Sequence, residues 1–148
     1  MAHHPIFSNI WNDHLEAVKQ HVLADEAVLE EIGVNDMRPL FFAVFRRRSA
    51  IALWLCEHRG QHDVDLHDDV MMTALHWACY NDSILVVQTL VAAGANPTLP
   101  DRVQYTPLMY ASQKGHSDIV ACLLQLPAVR TTIETINRPG LTALSSAS

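Results

Sequence analysis

Residues 71–100, MMTALHWACYNDSILVVQTLVAAGANPTLP, decide the fold of this chain. Thr73 is suited to cap a first short helix, because its hydroxyl can accept a hydrogen bond from a backbone N–H one turn further on. Asn81-Asp82 is expected to end this first helix, and a second, apolar helix is predicted over residues 84–92. Gly94 can adopt the left-handed conformation that ends a helix. The stretch therefore predicts two short helices joined by a tight turn and followed by a loop.

The same pattern recurs along the whole chain. Thr106-Pro107-Leu108 repeats Thr73-Ala74-Leu75, and Arg38-Pro39-Leu40 is a diverged copy. The aligned Pro or Ala positions are Pro5, Pro39, Ala74, Pro107 and Ala143, spaced by 34, 35, 33 and 36 residues. One helix pair cannot bury its own apolar faces, so the recurrence predicts a stack of such units.

The chain therefore resembles ankyrin repeats, which have a period of about 33 residues and open on a Thr-Pro-Leu-His motif. Thr73-Ala74-Leu75-His76 matches that motif, and Gly115-His116 matches the turn between the helices. The resemblance implies an all-α solenoid of helix-turn-helix units with finger loops between them. A single domain would cover residues 1–148, with repeats at about 5–36, 37–68, 69–101 and 102–137 and a partial repeat at 138–148. Because that last repeat lacks a second helix, we expect the chain to continue in a longer protein.

Composition and charge favour a soluble globular protein. The chain is 49% hydrophobic and 18% charged, and its formal charge of −6 argues against general nucleic-acid binding. Its apolar runs are too short to span a bilayer, so we expect no membrane contact. Cys56, Cys79 and Cys122 are an odd number without a disulfide spacing, which is typical of free thiols in a reducing compartment. We therefore expect an intracellular protein, cytoplasmic or nuclear.

The motifs of known catalytic or cofactor sites are missing from the sequence, so we expect no enzyme activity and no cofactor. His76 stands at the histidine position of the resembled family, where the side chain usually bonds to the neighbouring loop. A catalytic pairing of His76 with Cys79 is less favoured than helix packing. The segment 58–69 is rich in His and Asp, but its spacings match no zinc or calcium site, and a solvated finger is the better interpretation.

Three further expectations concern the core and local structure. The core is expected to contain Leu40, Leu75, Leu108, Ile51, Leu55, Val86, Leu90, Val120 and Leu124. Residues 129–136 are expected to lengthen the last finger in an extended conformation, because they are rich in β-branched side chains. Arg47 replaces the Gly that usually leaves the first helix, so a tighter or tilted turn is expected in the second repeat.

In ankyrin proteins the finger tips and the outer side of the first helices line a groove that binds partners. Projected onto this chain, the groove consists of Met37, Phe45, Arg46, Asp69, Val70, Met72, Tyr80, Asn81, Arg102, Val103, Tyr105, Gln113 and Lys114. Met37, Met72 and Tyr105 are expected to form an exposed stripe, with Phe45 and Tyr80 as a second row. Methionine and aromatic side chains are typical of binding hot spots. The alternative is that the fingers fold these residues against their own helices.

The resemblance implies a non-catalytic module that binds another protein through this groove, with Arg46, Arg102 and Lys114 setting the orientation by charge. Two alternatives stay open. The chain could be a targeting segment of a larger enzyme that continues beyond residue 148. It could also be a self-associating structural module; a monomer is favoured and a homodimer is possible.

Overall fold

The computed structural model describes residues 4–58 and 64–137, and these residues form nine α-helices joined by turns and loops. The bounds are α1 Pro5–Trp11, α2 Leu15–Ala24, α3 Pro39–Phe45, α4 Ser49–Glu57, α5 Ala74–Tyr80, α6 Ile84–Ala92, α7 Pro107–Lys114, α8 Ser117–Leu124 and α9 Pro127–Asn137. A 3₁₀ turn at Glu26–Glu30 follows α2. Within the described ranges β-structure is limited to an isolated bridge between His67 and Thr73. The all-α prediction is confirmed.

The helices stack in two layers. The first helices of successive repeats, α1, α3, α5 and α7, lie side by side, and the second helices, α2, α4, α6 and α8, do the same. Each first helix also packs on the second helix of its own repeat. Every repeat therefore completes its apolar surface on its neighbours, which is how a repeat stack becomes stable.

The core lies between the two layers and continues from repeat to repeat. Six of the nine predicted core residues are buried, which confirms most of that prediction. Leu40, Val120 and Leu124 are half-buried and pack against the core from its edge. Burial of a leucine or isoleucine side chain contributes about 1.5–3 kcal/mol, so fully buried residues such as Ile51 and Leu55 are major contributors.

The turns between paired helices repeat one backbone conformation. Asp13, Arg47, Asp82 and Gly115 each have a positive φ, of 61°, 59°, 60° and 75°, and they are spaced by 34, 35 and 33 residues. The N–H of the next residue donates to the first helix in every case, at 2.8 to 3.0 Å. The altered turn expected in the second repeat is therefore wrong. Arg47 adopts the left-handed conformation itself, and the turn geometry is preserved.

The finger tips are tight turns that also bond to one another. The N–H of residues 33, 68 and 101 donates to the carbonyl oxygen four positions on, at 2.8, 3.0 and 2.8 Å. The Asp69 N–H donates to the Asn35 carbonyl at 3.2 Å, and the Arg102 N–H donates to the Val70 carbonyl at 3.1 Å. Adjacent tips are thus connected by backbone bonds and form one surface.

Residues 129–136 lie in helix α9, so the extended conformation expected for them is wrong. The helix starts at Pro127, a residue that fits the first turn because no intrahelical N–H is lost there. Val129 is buried at 3% exposure, and α9 packs against α8. The hydroxyls of Thr131 and Thr132 donate to backbone carbonyls four residues earlier, at 3.0 and 2.9 Å. Burial of the apolar side of α9 therefore outweighs the preference of its β-branched residues for strands.

Two expectations fall on residues outside the described ranges. The partial fifth repeat at 138–148 is one, and the side chains of His62 and Asp63 in the second finger are the other. Among the residues that the structure does describe, none of the helices has the length and apolar character needed to cross a membrane.

Candidate functional site

A buried aspartate shapes the second finger tip. The Asp68 carboxylate is 2% exposed, and its Oδ1 accepts hydrogen bonds from the N–H groups of Val70 and Met72 at 3.1 and 2.9 Å. Its Oδ2 accepts from the indole N–H of Trp77 at 3.0 Å. A buried carboxylate is stable only when its oxygens are paired. Asp68 therefore holds the tip closed and attaches it to α5.

Asp101 does the same in the third finger, 33 residues later. It is 4% exposed, and its Oδ1 accepts from the N–H groups of Val103 and Tyr105 at 3.0 and 2.8 Å. Its Oδ2 accepts a short hydrogen bond from the Tyr110 hydroxyl. Burial raises the pKa of Tyr110, and the bond to Asp101 raises it further. The sequence interpretation missed this pair of aspartates, although each precedes an aromatic residue by nine positions.

His76 joins two neighbouring repeats. Its Nδ1 accepts from the Thr73 N–H at 3.0 Å, and its Nε2 lies 3.0 Å from the Tyr105 carbonyl oxygen. Burial lowers the pKa of His76, which favours the neutral ring. Cys79 is fully buried, and burial raises the pKa of its thiol. Both ring nitrogens of His76 are therefore engaged in structural bonds, and the expected bond to the neighbouring loop is confirmed.

The exposed apolar residues of the finger tips differ from those predicted. Met37 and Met72 are only 2% and 6% exposed, so the expectation of an exposed methionine stripe at these positions is wrong. Residues 36, 71 and 104 have a positive φ, and after this sharp turn Met37 and Met72 lie under the tip, whereas Tyr105 stays exposed. Val70, Met71 and Val103 are 41%, 44% and 66% exposed instead. Tyr105, at the position equivalent to Met72, is 36% exposed, as predicted.

A continuous row of aromatic rings lies beside these tips on the first helices. Ring centroids are 4.9 Å apart between Phe45 and Trp77, 5.7 Å between Trp77 and Tyr80, and 6.0 Å between Tyr80 and Tyr110. Tyr105 closes the row at 5.3 Å from Tyr110. The spacings are those of favourable aromatic pairs. We refer to the surface formed by this row together with Val70, Met71 and Val103 as the inner face.

The remaining predicted residues divide into two groups. Asp69, Arg102, Gln113 and Lys114 are exposed, and the Lys114 ammonium lies 4.5 Å from the centre of the Tyr80 ring. Asn81 has a structural role, because its side-chain amide donates to the Val44 carbonyl at 3.0 Å. Arg46 is half-buried and stacks on a residue outside the predicted set, with its guanidinium carbon 3.6 Å from the centre of the Trp11 ring.

The solvated finger expected over residues 58–69 is wrong in part, because Asp65 and Asp68 form structural hydrogen bonds and Asp68 is buried. Asp65 accepts from the Asn96 N–H at 2.8 Å, and the Asp68 oxygens accept the bonds of the finger tip. In residues 4–58 and 64–137, no three His, Cys, Asp or Glu side chains are grouped as metal ligands would be.

Comparison with known proteins identifies the architecture. A family model described as ankyrin repeats (3 copies) matches residues 6–101 and 62–134, which together cover most of the chain. The chain belongs to the ankyrin-repeat family. Ankyrin repeats are generally protein–protein interaction modules, and members of the family are typically non-catalytic.

The similarity to individual relatives is limited to part of each. A mouse B-cell lymphoma 3 protein homolog is 30% identical over 124 residues, which is 82% of this chain and 28% of that protein. Human Ankyrin repeat domain-containing protein 63 is 33% identical over 85 residues, 57% of this chain and 22% of that protein. Candida albicans Palmitoyltransferase AKR1 is 32% identical over 62 residues, 42% of this chain and 8% of that protein. The chain thus spans less than one third of the length of each relative.

Proposed function

We propose that this chain binds another protein on the inner face and has no catalytic role. The observation that carries the proposal is that exposed Val70, Met71 and Val103 lie on tips that Asp68 and Asp101 join to rings of a continuous aromatic row. A contiguous apolar surface on a folded protein is typical of an interaction site. Aromatic and methionine side chains are the ones that supply binding hot spots and adaptable contacts.

Hydrogen bonds also hold the tips of the inner face in a defined conformation, which favours tight binding. Asp68 and Asp101 fix the two tips through backbone bonds. The tips bond to each other through the Arg102 N–H and the Val70 carbonyl. Contact residues held in place before binding lose little conformational entropy when a partner arrives. Apolar residues on such a scaffold therefore lose less of their burial free energy to the ordering of side chains and loops.

Charged residues border the inner face on the side of the fourth repeat. Arg102 and Lys114 are exposed, and the Lys114 ammonium already lies over the Tyr80 ring. Charges at the rim of an interface contribute mainly to orientation and to the association rate. We infer that an acidic group on the partner faces these two cations while its apolar residues cover the tips.

The test is capture of partners with three matched baits. The baits are the native chain, a Val103→Asp, Tyr105→Asp double variant, and a Leu85→Asp control. Leu85 is a good control because it is 62% exposed and lies on α6 in the layer of second helices. We expect a protein that is held by the native and Leu85→Asp baits and lost from the double variant. Equal recovery by all three baits would contradict the proposal, provided that thermal melts show that each bait is folded.

The cysteines support a location inside the cell. Cys56 and Cys79 are buried, Cys122 is half-buried, and none of these three cysteines forms a disulfide bond. Free thiols persist in the reducing cytoplasm or nucleus, whereas secreted proteins usually pair them. We therefore propose that the interaction takes place in one of these two compartments.

A further inference from the structure

The first finger lacks the anchor that organises the other two. Gly33 stands at the position of Asp68 and Asp101, so no carboxylate is present to receive the aromatic residue of the following helix. That residue is Phe42, which stands at the position of Trp77 and Tyr110 and carries no hydrogen-bond donor on its ring. The turn itself is kept by the bond from the Gly33 N–H to a carbonyl oxygen at 2.8 Å. The polar bond of the other repeats is thus replaced here by an apolar surface.

A pocket of about 360 Å³ opens at this place. Its walls include the rings of Phe7, Trp11, Phe42 and Phe45 and the side chain of Met37. Trp11 is 52% exposed although it is a large apolar residue. The volume lies at the lower end of the range of about 300–1,000 Å³ found for ligand sites. We call this cavity the first-finger pocket.

Two arginines contact Trp11, a wall residue of the pocket. The Arg46 guanidinium stacks on the Trp11 ring at 3.6 Å, and an Nη of Arg48 donates to the Trp11 carbonyl oxygen at 2.7 Å. The Nε atoms of both arginines are buried without a hydrogen-bond acceptor among the described residues. An unsatisfied buried donor is costly, and more so when it is charged. Because these Nε atoms are closed to solvent, a carboxylate of a partner would pair with the Nη groups, and a carboxylate is the acceptor that suits a guanidinium best.

The first-finger pocket is continuous with the inner face. Phe45 is a wall of the pocket and also the first ring of the aromatic row, 4.9 Å from Trp77. A chain that lies along the inner face towards the first repeat therefore reaches the pocket and then the two arginines. This continuity favours a segment of a protein partner as the occupant.

We propose that the first-finger pocket binds a bulky aromatic or aliphatic side chain of an acidic peptide segment, whose neighbouring carboxylate pairs with Arg46 and Arg48. The inference rests on the proposed function, since it assigns one end of the same binding surface. It adds the chemistry of the partner: an apolar anchor beside an Asp or Glu. A guanidinium already held on an indole ring is a preformed receptor for that carboxylate.

The experiment uses a random peptide library displayed on phage and selected against the full chain. We expect the selected peptides to share an aromatic or large aliphatic residue next to Asp or Glu. Fluorescence anisotropy then measures each labelled peptide against Trp11→Ala, Arg46→Gln and the native chain. Both variants should weaken binding roughly tenfold or more, as expected at a hot spot. Trp11→Phe should restore much of the affinity, because it restores an aromatic wall.

Three results would overturn the inference. The selected peptides could share a basic or uncharged motif instead. Trp11→Ala and Arg46→Gln could leave the affinities unchanged, or the library could yield no binder that is sensitive to either variant. The Val103→Asp, Tyr105→Asp chain separates this inference from the proposed function. If a captured protein depends on the two tip residues and not on Trp11 or Arg46, the inner face stands and the pocket assignment fails. If the peptides depend on Trp11 and Arg46 while capture is insensitive to the tip residues, the pocket assignment stands and the proposed role of the tips fails.

Discussion

The imidazole Nε2 of His76 lies 3.0 Å from the carbonyl oxygen of Tyr105. Because Nδ1 accepts from the Thr73 N–H, the ring proton sits on Nε2, and His76 donates to Tyr105. The bond joins the start of α5 to the tip of the following finger. A buried residue of the core thereby holds in place a residue of the inner face.

His76 should make the stability of the protein depend on pH. Burial lowers its folded pKa below the ordinary value of 6.5, so the unfolded chain takes up the proton first. The contribution of neutral His76 is complete above pH 6.5 and declines as the pH falls from 6.5 towards the folded pKa. Protonation would also remove the Nδ1 acceptor of the Thr73 N–H. Urea unfolding between about pH 5 and pH 7.5, the range in which histidines titrate, should show this decline.

The control for the pH effect is His76→Gln. This variant should be less stable by about 1–3 kcal/mol, since it leaves buried polar groups unpaired. It should also lose part of the pH dependence, because the other eight of the nine histidines contribute equally to both proteins. The same slope of unfolding free energy against pH in both chains would show that His76 is not the titrating group.

The buried aspartate of the third finger should be far more important than its exposed neighbours. Asp101→Ala removes the acceptor of two backbone N–H groups and of the Tyr110 hydroxyl. We expect a loss of about 1.5–3 kcal/mol, the range for hydrogen bonds to charged groups. Asp69→Ala is the matched control, because Asp69 is exposed at the adjacent finger. It should change stability by less than about 0.5 kcal/mol. Similar midpoints for both variants in denaturant unfolding would refute this role of Asp101.

The repeat architecture could be predicted because its signals are local and recur. The Thr73 hydroxyl accepts from the His76 N–H at the start of α5, and Gly94 has the positive φ that ends the helical segment, at 95°. Each of these features depends on a few neighbouring residues. Their repetition at a fixed spacing then determines the stack, since each repeat buries the apolar face of the next.

The exposure of single tip residues could not be predicted in the same way. Met71 and Met72 are adjacent and have the same side chain, yet they are 44% and 6% exposed. A turn rotates successive side chains to different sides, so an error of one residue reverses the result. The anchor of the tip, Asp68, did leave a signal in the sequence. It recurs as Asp101, and each is followed nine residues later by an aromatic residue.

Helix α9 shows where propensity is outweighed by packing. Val129, Thr131 and Ile133 favour strands when they are considered by composition alone. In the structure Val129 is buried and Ile133 packs against the core, and the two are one helical turn apart. The spacing of apolar residues was therefore a better guide than their branching.

Two substitutions in the left-handed turn that the repeats share should change the free energy of unfolding in opposite directions. Arg47 has a φ of 59°, a conformation that costs a residue with a Cβ roughly 1–2 kcal/mol. Arg47→Gly should therefore raise the free energy of unfolding by about 0.5–1 kcal/mol, after the greater freedom of Gly in the unfolded chain is subtracted. Gly115→Ala should lower it by about 1 kcal/mol. A Cβ at Gly115 meets no atom of the described residues within 4 Å, so that loss reports backbone strain alone. Urea unfolding of both variants measures the two signs; a decrease for Arg47→Gly would show that its side chain contributes more than its backbone costs.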